Sequence, residues 1–92
     1  MKLIENQGGL VEICQTGHSL IKTKLNKINA PLAGEMSGHI FYNDVWFGFD
    51  DAIYAALRCI KEIKLQNGGL NNFLNSIPKS FASPEIRIEC ND

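Results

Sequence analysis

Apolar residues in this chain fall into short runs separated by breaks rich in glycine, asparagine and proline, and the spacing inside each run predicts its element. Leu3 to Gln7 reads as the last turn or two of a helix, stopped by Gly8-Gly9. So short a helix needs a body to dock on. Leu10-Val11-Glu12-Ile13-Cys14 has the composition of a strand, and Thr16-Gly17-His18 that of a loop. Ser19 is placed to cap a helix running to about Ile28, with Ile21, Leu25 and Ile28 on its apolar face and Lys22, Lys24 and Lys27 in solvent. Pro31-Leu32-Ala33 and His39-Ile40-Phe41-Tyr42 predict two short strands around the loop Gly34–His39, with Asn43-Asp44 as the next turn. The strongest helix is expected from about Asp50 to Lys64. Its apolar positions Ile53, Ala56, Leu57, Ile60 and Ile63 recur at helical spacing, and Asp50 or Asp51 suits its positive end. Gln66-Asn67-Gly68-Gly69 ends it. A weaker helix follows over Leu70–Ile77, then an extended linker over 78–84 and an alternating strand over Glu85–Cys90.

Strands interleaved with helices imply an α/β layer, with parallel pairing wherever a helix forms the crossover. Ninety-two residues allow at most one small domain, with little core to spare. A net charge of −1 gives no electrostatic case for nucleic acid or an anionic membrane as partner. The sequence has no apolar run near membrane-spanning length and no signal-peptide hydrophobic region at its start. Cys14, Cys59 and Cys90 are odd in number and far apart, which reads as reduced thiols in the cytoplasm.

The candidate chemistry is concentrated in Gly34-Glu35-Met36-Ser37-Gly38-His39. Glu35, Ser37 and His39 alternate, so an extended backbone would turn all three side chains to one side. Gly34 and Gly38 shape the loop and allow a ligand close approach. A carboxylate, a hydroxyl and an imidazole together suit a ligand bearing several hydroxyl groups. His18 in its own loop is either a structural hydrogen-bonding residue or a proton carrier, since imidazole titrates near neutrality. Glu35, His18 and His39 lack the short helical spacing of a zinc-hydrolase pair, so no metal site is expected. Trp46 to Asp51 is expected to pack the base of the loop and start the following helix.

Taken in order, Thr16-Gly17-His18-Ser19, the run Ala33 to Phe41, Trp46-Phe47-Gly48-Phe49-Asp50-Asp51, Ile53 to Arg58 and Ser83-Pro84-Glu85-Ile86 resemble the α-D-phosphohexomutase family. The likeness is to its bacterial phosphomannomutase/phosphoglucomutase branch, within the third domain and running into the start of the fourth. The resemblance implies residues 1–77 as a partial third domain, 78–84 as a linker and 85–92 as the first strand of the fourth. The fold it implies is an incomplete three-layer α/β domain, a mixed sheet with helices on both faces, without its first strand. Ala52 stands where bacterial relatives often carry glycine, a change that favours the helix slightly.

The family interconverts hexose 1-phosphate and hexose 6-phosphate through a bisphosphorylated sugar that turns over in the site. The resemblance implies that Glu35 and Ser37 grip the sugar's 3- and 4-hydroxyls, which exchange places on the flip. A carboxylate–hydroxyl pair is charge-assisted and positions the acceptor for phosphoryl transfer. Such a site is indifferent to the 2-position, leaving mannose and glucose both open. His39 would either touch the substrate or brace the loop, and His18 would assist proton or phosphate handling. This reading requires a Glu35 carboxylate not committed to bonds within its own fold and aimed toward Ser37 and His18. No cofactor is expected in this chain, whereas magnesium and a hexose bisphosphate activator are implied for the intact enzyme.

The family's phosphoserine, magnesium and downstream phosphate-binding motifs are not found in these residues, so the 92 residues are expected to be inactive alone. A shortened or split gene product is the expectation. The competing expectations are a non-catalytic sugar-phosphate-binding module that complements separate mutase domains, an inert relic, and a self-associating chain whose sheet edges pair between copies.

Overall fold

In the computed structural model, which describes residues 1–90, helix α1 (Lys2–Asn6) ends as its glycines predict. The Gly8 N–H donates to the Glu5 carbonyl at 2.9 Å and the Gly9 N–H reaches back to Ile4 at 3.0 Å, a Schellman closure. Helix α2 (His18–Lys27) begins two residues earlier than expected. Gly17, not Ser19, is its N-cap, and the Gly17 carbonyl accepts the first helical bond, from Ile21 at 2.9 Å. The short strands β1 (Leu32–Gly34) and β2 (Ile40–Tyr42) pair antiparallel, Ala33 opposite Phe41 and Gly34 opposite Ile40. Helices α3 (Ala52–Leu65) and α4 (Gly69–Ser76) complete the elements among the described residues. The chain divides into two units, Met1–Ile60 and Lys61–Asp92.

The fold is α/β, with a sheet reduced to one antiparallel pair among the described residues. This is the incomplete α/β domain expected, and of its mixed sheet the described residues form this one pair. Leu10–Cys14 and Glu85–Cys90 carry strand-like composition but lie in no ladder. Alternation gives a segment the capacity to pair; only a partner edge makes it a strand. Residues 91 and 92 of the expected last strand lie outside the described residues. In the first unit, Glu12 ties the 10–14 segment to α2 by an ion pair with Lys24, which raises the Lys24 pKa, chiefly through the hydrogen bond to Glu12.

The core of the first unit is small. Phe41, with no exposed surface, packs with Ile21 and Leu25 from α2, flanked by Ala30 and Ala33. Burying each of these large side chains contributes about 1.5–3 kcal/mol. Ile21 and Leu25 are the expected face of α2, whereas Ile28 is its C-cap and stays partly exposed. The expected core stripe of α3 is not buried: Ile53 is 79% exposed, and Leu57 and Ile60 are also open. Helical periodicity identifies an apolar face but cannot supply the layer that covers it. No helix among the described residues is long and apolar enough to cross a membrane.

Candidate functional site

Gly17 fixes where the site begins. Its φ of +127° is a backbone state that glycine takes far more readily than any other residue, and it makes His18 the first residue of α2. Its N–H, an orphan donor at a helix start, is taken by Glu35 Oε1 at 3.1 Å. A carboxylate there is also favoured by the positive end of the helix. The β1–β2 connection is a turn in which the Gly38 N–H donates to the Glu35 carbonyl and the Glu35 N–H to His39, both at 3.0 Å. Gly38, at φ +92°, allows that turn. Gly34, read from sequence as loop-shaping, is instead an ordinary last residue of β1, paired with Ile40.

Glu35, Ser37 and His39 do come together, though not by the extended alternation the sequence predicts. The turn brings them to one atom: His39 Nδ1 lies 3.0 Å from Glu35 Oε2 and 2.7 Å from Ser37 Oγ. A carboxylate only accepts, so Nδ1 carries the proton, and Ser37 Oγ is a second acceptor beside it. The Ser37 hydroxyl proton is then left to point elsewhere, toward solvent or a ligand. His39 is tied to the loop both through its ring and through its carbonyl, which accepts from the Glu35 N–H.

His18 completes the group. Its Nε2 lies 3.8 Å from Glu35 Oε2, and its ring stands edge-on to His39 with centroids 4.8 Å apart. Phe41 supports His18 from another side, with centroids 5.5 Å apart. Glu35 is only 9% exposed, against 49% for His18 and 43% for His39, so a deep carboxylate is flanked by two open rings. The requirement of an uncommitted carboxylate is not met, since Glu35 bonds the Gly17 N–H and the His39 ring; the requirement that it aim toward His18 is met. Each carboxylate oxygen keeps a second lone pair, so acceptor capacity remains.

Asp50 is the site residue that sequence reasoning missed. Its Oδ2 faces His18 Nε2 at 3.6 Å and His39 Nε2 at 3.8 Å, across from Glu35. A lone bridge between Asp50 and Phe41 holds it against β2. The signal available was the Asp-Asp pair, since one of the two suffices for a helix cap. Asp51 is that cap: its Oδ1 accepts from the Tyr54 N–H at 2.9 Å, while its Oδ2 accepts from the Trp46 indole at 3.2 Å. Trp46 stacks on Tyr54, and Arg58 lies over Tyr42 while pairing with Asp44. Trp46 thus packs against the first turn of α3, whereas Phe47 and Phe49 are exposed.

The sequence and the fold match known proteins. The sequence fits the family described as phosphoglucomutase/phosphomannomutase, alpha/beta/alpha domain III, over residues 1–81. The chain belongs to that family. A phosphomannomutase/phosphoglucomutase of Pseudomonas syringae pv. tomato is 43% identical over 90 residues, 98% of this chain and 19% of that protein. A phosphoglucomutase of Neisseria meningitidis serogroup A is 45% identical over 85 residues, 92% of this chain and 18% of that protein. The crystal structure of a family protein from Burkholderia thailandensis superposes with a TM-score of 0.82 at 40% identity, covering 90% of this chain and 18% of that one. The chain thus spans about a fifth of the length of these relatives. The domain III match stops ahead of residues 85–92.

Magnesium, implied by the resemblance for an intact phosphohexomutase, takes oxygen ligands in an octahedron and retains water. The His18–Glu35–His39 group offers two imidazoles and is not a magnesium cradle, so no magnesium step is assigned to these residues.

Proposed function

We propose that this chain supplies the hexose-recognition loop of a phosphohexomutase, an isomerase that moves a phosphoryl group between the 1- and 6-positions of a hexose. The observation that carries the reading is the convergence of Glu35, Ser37 and His39 beside His18 on a glycine turn. Glu35 would accept a hydrogen bond from one of the sugar's 3- and 4-hydroxyls, and Ser37 would donate its free proton to the other. A pair of one acceptor and one donor accommodates two hydroxyls that trade positions, because each hydroxyl both donates and accepts. His39 holds the pair in register, and the open ring of His18 is positioned to pass a proton or face a phosphate.

The ligand on this reading is a hexose phosphate, with mannose and glucose both admitted. Phosphoryl transfer, with its phosphoserine, magnesium and bisphosphate activator, would be supplied by segments other than these 92 residues, which are therefore inactive by themselves. The setting is the cytoplasm, in keeping with three exposed thiols.

A chimera tests the reading. Replacing the matching segment of the Pseudomonas syringae relative with these residues should preserve turnover of mannose 1-phosphate and glucose 1-phosphate. Glu35→Gln in that chimera should then lower kcat/KM by about tenfold or more, the loss of one charge-assisted contact. An unchanged kcat/KM would remove Glu35 from the substrate. Turnover by the 92-residue chain alone would contradict the claim that catalysis resides elsewhere.

A further inference from the structure

The geometry points to a second ligand class for the same cluster: a divalent transition-metal ion of the zinc type, held by His18, His39 and Asp50 with Glu35 behind His39. This stands independently of the hexose reading. Donor atoms of His18, Glu35 and His39 lie within 4.8 Å of one another although 17 and 4 positions separate them in sequence; Asp50 lies outside that trio and joins it only through its approaches to the two histidines at 3.6 and 3.8 Å. Sequence spacing gave no hint of such a site, because the ligands come from the start of α2 and from the hairpin turn rather than from one helix.

The proton inventory favours a metal over an ion pair alone. His39 Nδ1 must carry its proton to bond Glu35 Oε2, so the lone pair of the neutral ring resides on Nε2. That nitrogen faces Asp50 Oδ2 at 3.8 Å, and His18 Nε2 faces the same oxygen at 3.6 Å. Tetrahedral zinc, with bonds of about 2.0–2.1 Å, sets its donors about 3.4 Å apart. The two separations from Asp50 Oδ2 are a few tenths of an ångström longer.

Toward His39, Glu35 has the part that carboxylates commonly take behind a metal-bound histidine: it receives the other ring N–H and fixes tautomer and orientation, while toward His18 it faces the same Nε2 that faces Asp50. It is itself fixed by the Gly17 N–H. Two imidazoles and a carboxylate select zinc, nickel or copper over magnesium or calcium. The fourth position opens to solvent, as the exposure of both rings requires.

The test uses the 92-residue chain with Cys14, Cys59 and Cys90 replaced by serine, because exposed thiols would take zinc themselves. Only two histidines exist in the chain, so their ring proton signals are directly assignable by NMR. Zinc titration should shift both rings together and saturate at one equivalent. His18→Ala and His39→Ala should each weaken calorimetric affinity by about tenfold or more, Asp50→Asn similarly, and Glu35→Gln less than any of these. Zinc that shifts neither ring or only one, or affinity unchanged in both histidine variants, would overturn the site. A larger loss from Glu35→Gln than from Asp50→Asn would overturn Asp50 as the ligand.

Discussion

Trp46 and Tyr54 lie face to face, their ring centroids 4.3 Å apart and their planes within 3° of parallel. One side chain, Asp51, secures both: it caps α3 through the Tyr54 N–H and anchors the Trp46 indole. The neighbouring Asp50 is thereby released to face the two histidines. Helix initiation and site geometry are thus set by adjacent residues with different tasks.

Removing the shared carboxylate should be felt at both ends. Asp51→Ala is expected to destabilise the chain by about 1–2 kcal/mol through loss of the N-cap. It should also shift the emission of the single tryptophan to the red as the indole loses its anchor. Asp51→Asn, which keeps an acceptor for the Tyr54 N–H, should lose less on both counts. Denaturant titration followed by fluorescence measures the two effects together.

The Gly17 conformation and its bond to Glu35 make two separable predictions. Gly17→Ala forces a side chain into φ near +127°, at a cost of about 1–3 kcal/mol. Glu35→Ala leaves the Gly17 N–H without its charged acceptor and should cost about 1.5–3 kcal/mol. Glu35→Gln keeps an oxygen in place and should cost less than either. Thermal unfolding of the three variants gives the order.

Burial separates two apolar residues of similar chemistry. Phe41 has no exposed surface, and Phe41→Ala should cost about 3–5 kcal/mol, enough to unfold the first unit. Ile53 is largely exposed, and Ile53→Ala should change stability by about 0.5 kcal/mol or less. Comparable losses at the two positions in circular dichroism melts would show α3 to be covered in solution.

Acid should weaken the Asp44–Arg58 pair. The Asp44 carboxyl is held below its usual range, first by the Val45 N–H and then by the Arg58 guanidinium. The Arg58 pKa is raised in turn, by hydrogen bonds to Tyr54 and then to Asp44, so it stays charged throughout. A depressed carboxyl pKa contributes stability that is complete above its unfolded value, about pH 4, and is lost as pH falls through the folded value. Asp44→Asn should therefore be less stable than the parent by a constant margin above about pH 4, and the two should converge below it. Parallel acid-unfolding curves would contradict this.

Much of the architecture is legible in the residues themselves. The Gly8-Gly9 stop, the Ile21–Leu25 face, the hairpin around Gly34–His39 and the long helix through Ile53 all follow from spacing and turn chemistry, with boundaries within about two residues. What escaped depends on partners remote in sequence. Leu10–Cys14 has the composition of a strand but finds no edge to pair with, and the apolar stripe of α3 finds no covering layer. The Asp50 role was hidden because two consecutive aspartates before a helix look equally like caps. The approach of His18 to Glu35 is set by the Gly17 conformation, which no pattern of apolar residues encodes.

The link between Glu35 and the first turn of α2 has a use beyond holding the loop. Whatever pulls electron density or position from that carboxylate, whether sugar hydroxyl or metal-bound imidazole, is transmitted directly to one amide proton. Gly17 is therefore a built-in sentinel: its exchange rate and chemical shift should report occupancy of the cluster without any label being introduced.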